Sequence, residues 1–261
     1  MKVVILCGGQ GTRIRGVSDD LPKPMIPIGD YPIVWHIMNG YAAAGFKDFV
    51  LCLGYKGHVI KDFFLNYHAR ISDVTIDFAR NDRVTFKNER PEIDWRVTLA
   101  ETGKETMTGS RVKRIEQYIG SDEEFMLTYG DGVSDINLPA LVAEHLKHKP
   151  VVTVSGVRPP GRFGELDHDG TGKITEFNEK PQAIGGRISG GFFVCSRRLF
   201  QYLDGQRDDE VLEAGPFRRI AREGQMAMYS HDGFWQCMDT FRDYTLLNEM
   251  YEKGDAPWTR S

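Results

Sequence analysis

The 261-residue sequence predicts a layered α/β fold built on a mostly parallel sheet, and three observations carry that prediction. Short apolar, β-branched runs alternate with stretches of helical spacing through the first half. Two of those runs lead straight into glycine-rich loops, Gly8-Gly9-Gln10-Gly11 and Gly130-Asp131-Gly132, the exit expected at the carboxyl edge of an open sheet. No repeat, low-complexity segment or flexible linker divides the chain, and its length suffices to bury roughly 70 to 75% of the unfolded surface.

In chain order, Val3 to Cys7 reads as a buried first strand. Pro32 to Gly45 has helical spacing at Ile33, Ile37, Met38 and Tyr41, with Pro32 suited to the first turn and Gly45 to the C-terminal cap. Phe49 to Leu53 is the next strand and His58 to about Tyr67 the next helix. Val74 to Ala79, Val84 to Lys87 and Val97 to Glu101 are extended, with Asn81-Asp82 as a turn between the first two. Ser110 to Ile119 reads as a helix and Phe125 to Tyr129 as a strand. Then come a helix with Pro139 near its start, a strand at Val151 to Val157, the loop 158–164 and a hairpin-like stretch around Gly170-Thr171-Gly172. Phe192 to Cys195 and Met226 to Tyr229 are strands; Asp209 to Gly224 and Arg242 to Lys253 are helical. Antiparallel signals enter beyond residue 130.

Composition narrows the class. Lys plus Arg number 33 against 37 for Asp plus Glu, an acidic balance that argues against nonspecific nucleic-acid binding, which depends on a basic surface. The longest apolar stretches are strand-sized, so no transmembrane helix is expected. The N-terminal apolar run is too short for a signal peptide and meets Gly8-Gly9 instead of a small-residue cleavage site. Cys7, Cys52, Cys195 and Cys237 lack metal or redox spacing and read as reduced, mostly buried thiols of a cytoplasmic protein.

The loop at 8 to 13 lets backbone N–H groups approach an anion, because glycine puts no Cβ in the way; an ordinary tight turn is the alternative. No Gly-Lys-Ser/Thr follows, and the third glycine of the dinucleotide fingerprint is missing, which excludes a Walker-type NTPase and a nicotinamide oxidoreductase. Instead the chain continues through Thr12-Arg13 to Leu21-Pro22-Lys23-Pro24-Met25, where prolines flank a lysine. Lys23 reads either as a phosphate ligand or as an exposed residue of a stiff loop.

Gly8-Gly9-Gln10-Gly11-Thr12-Arg13 followed by Pro22-Lys23-Pro24-Met25-Ile26-Pro27-Ile28 resembles the signature of the sugar-nucleotide pyrophosphorylases, a nucleotidyltransferase family. Trp35-His36-Ile37-Met38, Gly54-Tyr55-Lys56-Gly57, Ser72-Asp73-Val74-Thr75, Thr102-Gly103, the run 107–114 and Thr128-Tyr129-Gly130-Asp131-Gly132 extend the likeness over essentially the whole chain. They are similar to the branch that joins CTP to glucose 1-phosphate. The resemblance implies a Rossmann-like layered fold, with a mostly parallel mixed sheet and an added antiparallel sugar-binding region. One catalytic domain over residues 1–261 follows, nucleotide-facing to about 130, sugar-facing over about 131–240, with a C-terminal helix and tail at 241–261. It further implies Mg²⁺ as cofactor, CDP-glucose and pyrophosphate as products, a role in cell-surface polysaccharide such as lipopolysaccharide O-antigen, and a homo-oligomer.

The implied reaction needs no general base, because a phosphate monoester, with its second pKa near roughly 6, is already largely dianionic at neutral pH. None of the histidines sits in an evident catalytic arrangement. The task is to bring two polyanions together, and Arg13, Lys23, the loop N–H groups and a divalent cation are the expected means. Asp131 and Asp239 are the expected metal ligands; a turn Asp and a helix N-cap are the plain alternatives. With Leu6, Cys7, Thr106 and Gly130, the loop residues line the expected nucleotide site, in which the catalytic residues are Arg13, Lys23 and Asp131.

The family pattern Met-Thr-Gly-Gly-Arg places a cytosine-reading arginine at Arg111, although Ser110 replaces its second glycine; a basic helix face is the alternative. Cytosine offers an acceptor at N3 where uracil offers a donor, so a fixed arginine favours CTP; UTP or dTTP chemistry remains the alternative. The expected sugar-phosphate pocket contains Gly164, Glu179, Lys180 and Gly190, with Glu179 on hydroxyls and Lys180 on the phosphate; Ser189 stands where the family has Asn. The C-terminal stretch with Tyr251, Pro257 and Trp258 is a candidate oligomer contact or packs on its own subunit. A catalytically silent regulator is disfavoured because Arg13, Lys23, Asp131 and Asp239 are all retained.

Overall fold

The computed structural model describes residues 1–9, 14, 20–80, 83–87, 94–159, 165–169, 171, 173–178 and 186–259. Its centre is a seven-stranded sheet of β1 (Val3–Cys7), β2 (Asp48–Leu53), β3 (Arg96–Glu101), β4 (Glu124–Tyr129), β5 (Val152–Val157), β6 (Ile188–Ser196) and β7 (Met226–His231). The spatial order is β7-β5-β6-β4-β1-β2-β3. β1 is parallel to β2 and β4, β2 to β3, and β5 to β7; β6 alone runs antiparallel, against both β5 and β4.

All five residues of β1 are buried, as both faces of a parallel sheet require. Val3, Ile5 and Cys7 face one core cluster and Val4 and Leu6 the other, by the two-residue alternation of a strand. Helix α1 (Ile33–Ala43) covers the first face with Ile33, Ile37, Met38 and Tyr41. Helix α2 (Thr108–Arg114) contributes Val112 to the second. A short antiparallel pair, Gly132–Ser134 with Trp235–Cys237, lies beyond β4, and two further pairs join Asp73–Asp77 to Arg83–Lys87 and Glu165–His168 to Ile174–Asn178.

Several boundaries differ from expectation for identifiable reasons. Pro32 lies outside α1: it pairs with Pro27 and caps the helix from extended backbone. Gly45, at φ +90°, ends α1 as expected, its N–H donating to Ala42 O (2.9 Å) while Phe46 N–H donates to Tyr41 O (3.0 Å), the paired closure that a left-handed residue permits. The helix expected over about 209–224 is confined to Pro216–Arg222, with Gly215 as its N-cap and Pro216 in its first turn, where a missing N–H costs no helical hydrogen bond. β6 begins at Ile188, earlier than expected, because a register shift between Val154 and Gly156 absorbs Gly190 and Gly191, the latter at φ +79°. The Asn81-Asp82 turn and the loop 160–164 lie outside the described residues.

His36 and His145 are buried as neutral, hydrogen-bonded groups. His145 of Leu138–His148, wholly buried, meets Thr153 Oγ1 and Glu124 Oε2, each at 2.9 Å, and His36 meets Ile28 O at 2.9 Å through Nε2. Burial lowers both below the ordinary value, outweighing the raising effect of the Glu124 contacts at His145 and of backbone contacts at His36. The unfolded chain therefore binds more protons as pH falls through about 6.5, so the sign of the linkage is loss of stability on acidification. Urea midpoints measured from pH 7.5 down to 5.5 are expected to fall, less so in His145→Gln; a His145→Gln slope equal to that of the wild type would contradict the assignment.

Candidate active site

Gly8 and Gly9 leave β1 at the carboxyl edge of the sheet, between the ends of β2 and β4. Helix α2 sends Arg111 beneath this edge. Its guanidinium lies so close to the main chain that a Cβ on Gly8 would come within 2.3 Å of Cζ, and one on Gly54 within 2.5 Å of Nη2. A side chain at either place would have to displace the Arg111 guanidinium or the loop. Nη1 donates to Leu53 O (2.9 Å), Thr102 Oγ1 (2.8 Å) and Gly103 O (2.7 Å), and Nη2 to Lys104 O (3.3 Å). Burial lowers the Arg111 pKa from its ordinary high value, yet an arginine keeps its charge.

Lys23 stands on a 3₁₀ turn, Lys23–Met25, with Pro22 before it and Pro24 within it. Its ammonium donates to Asp131 Oδ2 at 2.6 Å and to Asp239 Oδ1. The carboxylates are 108 residues apart in sequence and are joined by the short pair beyond β4: Gly132 registers with Cys237, and Met238 N–H donates to Asp131 O at 2.8 Å. The N-cap alternative for Asp239 does not hold, because Thr240 is the N-cap of α3 (Phe241–Glu252) in a capping box with Asp243. Burial pulls the Lys23 pKa down, but Asp131 and Asp239 outweigh it and raise the pKa above the ordinary value.

The donor set suits a hard divalent cation. Asp131, Asp239 and Cys237 offer ligand atoms within 4.8 Å of one another. Two carboxylates on one point charge are what Mg²⁺ accepts, with waters and phosphate oxygens completing its shell. Burial, with Asp131 next, raises the Cys237 pKa, so the sulfur stays a thiol and a poor ligand for such an ion.

Leu6, Gly8, Gly9, Lys23, Thr106, Arg111, Gly130 and Asp131 share one cleft of about 230 Å³. Cys7 is fully buried behind it. A smaller recess containing Asp131, Gly132, Gly190, Trp235 and Cys237 adjoins the cleft, and Trp235 Nε1 donates to Gly190 O at 2.7 Å. Gln10, Gly11, Thr12, Arg13, Gly164, Glu179 and Lys180 lie outside the described residues. Sequence reasoning missed Gly54, Tyr129 and Trp235 as parts of the site. Tyr129, whose hydroxyl donates to Glu213, borders both spaces, and its place at the end of β4 was the available signal. Trp258 is buried against Phe234 and His36, so the tail packs on its own subunit.

A cleft that pairs an anion-approachable backbone with a lysine and a carboxylate pair is equipped for polyanions and a cation together, and the chain belongs to the nucleotidyl transferase family, whose model matches residues 2–254. The resemblance read from the two-part motif therefore holds. The chain is 45% identical over 258 residues to glucose-1-phosphate cytidylyltransferase of Salmonella typhi, covering 99% of this chain and 98% of that protein. It is 41% identical over 259 residues to the probable glucose-1-phosphate cytidylyltransferase of Bacillus subtilis, covering 99% of each. Two solved structures share the fold: a putative glucose-1-phosphate thymidylyltransferase from Bacillus anthracis (TM-score 0.69, 19% identity, 96% of this chain and 94% of that one) and HddC from Yersinia pseudotuberculosis (TM-score 0.64, 21%, 96% and 99%).

Proposed function

We propose that this chain transfers a cytidylyl group from CTP to glucose 1-phosphate, giving CDP-glucose and pyrophosphate. The observation that carries the chemistry is the convergence of Lys23, Asp131 and Asp239 beside the loop that leaves β1, where Gly9 has open space around it. A sugar-phosphate oxygen bonds to the α-phosphorus in line as the bond from that phosphorus to the bridging oxygen of pyrophosphate breaks. No proton needs removing, in keeping with His36 and His145 being committed to structural hydrogen bonds. Lys23 and the loop N–H groups hold phosphate oxygens, Arg13 joins them, and Arg111 reads the base. Asp131 and Asp239 hold Mg²⁺, which when bound neutralises phosphate charge. We assign the sugar side to Gly190 and the recess beside Asp131, and, from the family resemblance alone, the sugar hydroxyls to Glu179 and the sugar phosphate to Lys180.

The base and sugar assignments draw on the two relatives named above and on Arg111 bordering the cleft. Among the described residues no helix is long and apolar enough to cross a membrane, which is compatible with a cytoplasmic enzyme. We assign residues up to about 130 to the nucleotide, about 131–240 to the sugar phosphate and a homo-oligomer to the working form. Pyrophosphate release over a grid of triphosphates and hexose 1-phosphates tests the reading: CTP with glucose 1-phosphate is expected to lead, and a preference for UTP or dTTP would overturn the cytidylyl assignment.

A substitution at the loop tests the geometry separately. Gly8→Ala is expected to lower kcat/KM by about tenfold or more, since a Cβ 2.3 Å from Arg111 Cζ forces the arginine or the loop to move. Kinetics equal to the wild type would remove Gly8 and Arg111 from the site.

A further inference from the structure

Lys23 occupies the position that a cation shared by Asp131 and Asp239 would take, and we propose that it acts as a plug on that site. In the absence of nucleotide it bars a free divalent cation, and it releases the carboxylates when a triphosphate takes its ammonium. The inference rests on the reading of these residues as a nucleotidyl transferase's cation site.

Three features support it. The ammonium engages both carboxylates at once, through Asp131 Oδ2 at 2.6 Å and Asp239 Oδ1, so the pair is already converged on one point charge. The Lys23 side chain is 13% exposed and that of Asp131 26%, so this contact is screened less than a surface pair, while Asp239, at 39%, stays partly open to water. A divalent ion added without displacing Lys23 would set three positive charges against two negative ones in that half-buried space, and repulsion between the cations would expel one of them. A bound triphosphate reverses the balance, because its oxygens can serve both cations together.

The local chain permits the exchange. Pro22 and Pro24 flank the lysine, and the 3₁₀ turn closes with Ile26 N–H donating to Lys23 O at 3.2 Å, so the stem stays in place. The four-carbon side chain above it is free of any such constraint. Lys23 already borders the cleft shared with Gly8 and Gly9, so a swing about its own torsions carries Nζ from the carboxylates towards a phosphate there. Cation and nucleotide are thereby coupled: each favours the other's entry, and the nucleotide-free protein binds a divalent ion weakly.

Mn²⁺ binding to the nucleotide-free protein, followed by electron paramagnetic resonance, tests this without turnover. Lys23→Met and Lys23→Gln are expected to bind Mn²⁺ about tenfold or more tightly than the wild type, because the competing charge is gone. The gain is expected to vanish in Lys23→Met/Asp131→Asn. Equal or weaker binding by both single variants would overturn the proposal. On the wild type alone, a crystal soaked in Mn²⁺ without nucleotide that held the ion between both carboxylates with Lys23 still bonded to them would overturn it equally. Tighter Mn²⁺ binding in the variants alongside a wild type that releases no pyrophosphate from any triphosphate would leave the plug standing and defeat the functional reading.

Discussion

Asp131→Asn is expected to lower kcat by about 10² to 10³-fold, the scale of losing one preorganised electrostatic element, while the protein stays folded. The side chain keeps its shape, loses its charge and exchanges one acceptor oxygen for an NH₂ donor. That charge holds Lys23 Nζ at 2.6 Å and is one of the two on which a cation could sit. Folding is spared because Lys23 retains Asp239 as partner, and because the turn is held by main-chain bonds, Met238 N–H to Asp131 O (2.8 Å) and Asp135 N–H to Phe234 O (3.2 Å). Steady-state kinetics at saturating Mg²⁺ together with a thermal melt check both halves. Wild-type turnover in this variant would take Asp131 out of the chemistry, and a collapsed melt would make its role structural.

The sequence made the parts of this site visible more readily than their assembly. Lys23 stood out because two prolines restrict the chain around it, and Asp131 because a strand delivers it between glycines. These are local features, which sequence displays. Their meeting depends on the sheet order and on the pairing of Gly132–Ser134 with Trp235–Cys237, a contact between segments about a hundred residues apart with no local signature. The fold class was legible because β1 is apolar at every position, and a strand buried on both faces has no other composition open to it. The ends of elements were less so. Pro32 caps from outside the helix, and Gly191 extends β6 through a left-handed residue, both outcomes of main-chain conformation that residue type permits but does not specify.

Arg111 illustrates the same limit more sharply, since the family likeness gave it one task and the structure adds another. Its Nη1 and Nη2 bind three main-chain carbonyls and the Thr102 hydroxyl, acceptors that no pattern of side chains reveals. The arginine ties the ends of β2 and β3 together beneath the loop that follows β1. Arg111→Ala is therefore expected to cost about 1 to 3 kcal/mol of stability, because main-chain oxygens lose a charged donor that water from the adjoining cleft replaces only in part. Those bonds occupy both Nη1 hydrogens and one on Nη2, which leaves Nε–H and one Nη2 hydrogen for a ligand in the cleft. Donors suit the N3 acceptor of cytosine and oppose the N–H of uracil. The ratio of kcat/KM for CTP over UTP is accordingly expected to fall by about tenfold or more in Arg111→Lys, which retains charge and loses the planar fork. Urea unfolding reads the first role and the substrate ratio the second. A destabilised variant with an unchanged ratio would leave Arg111 as a clamp on the sheet edge and move base selection elsewhere in the cleft, with Met107 and Thr108 at its border the next residues to test.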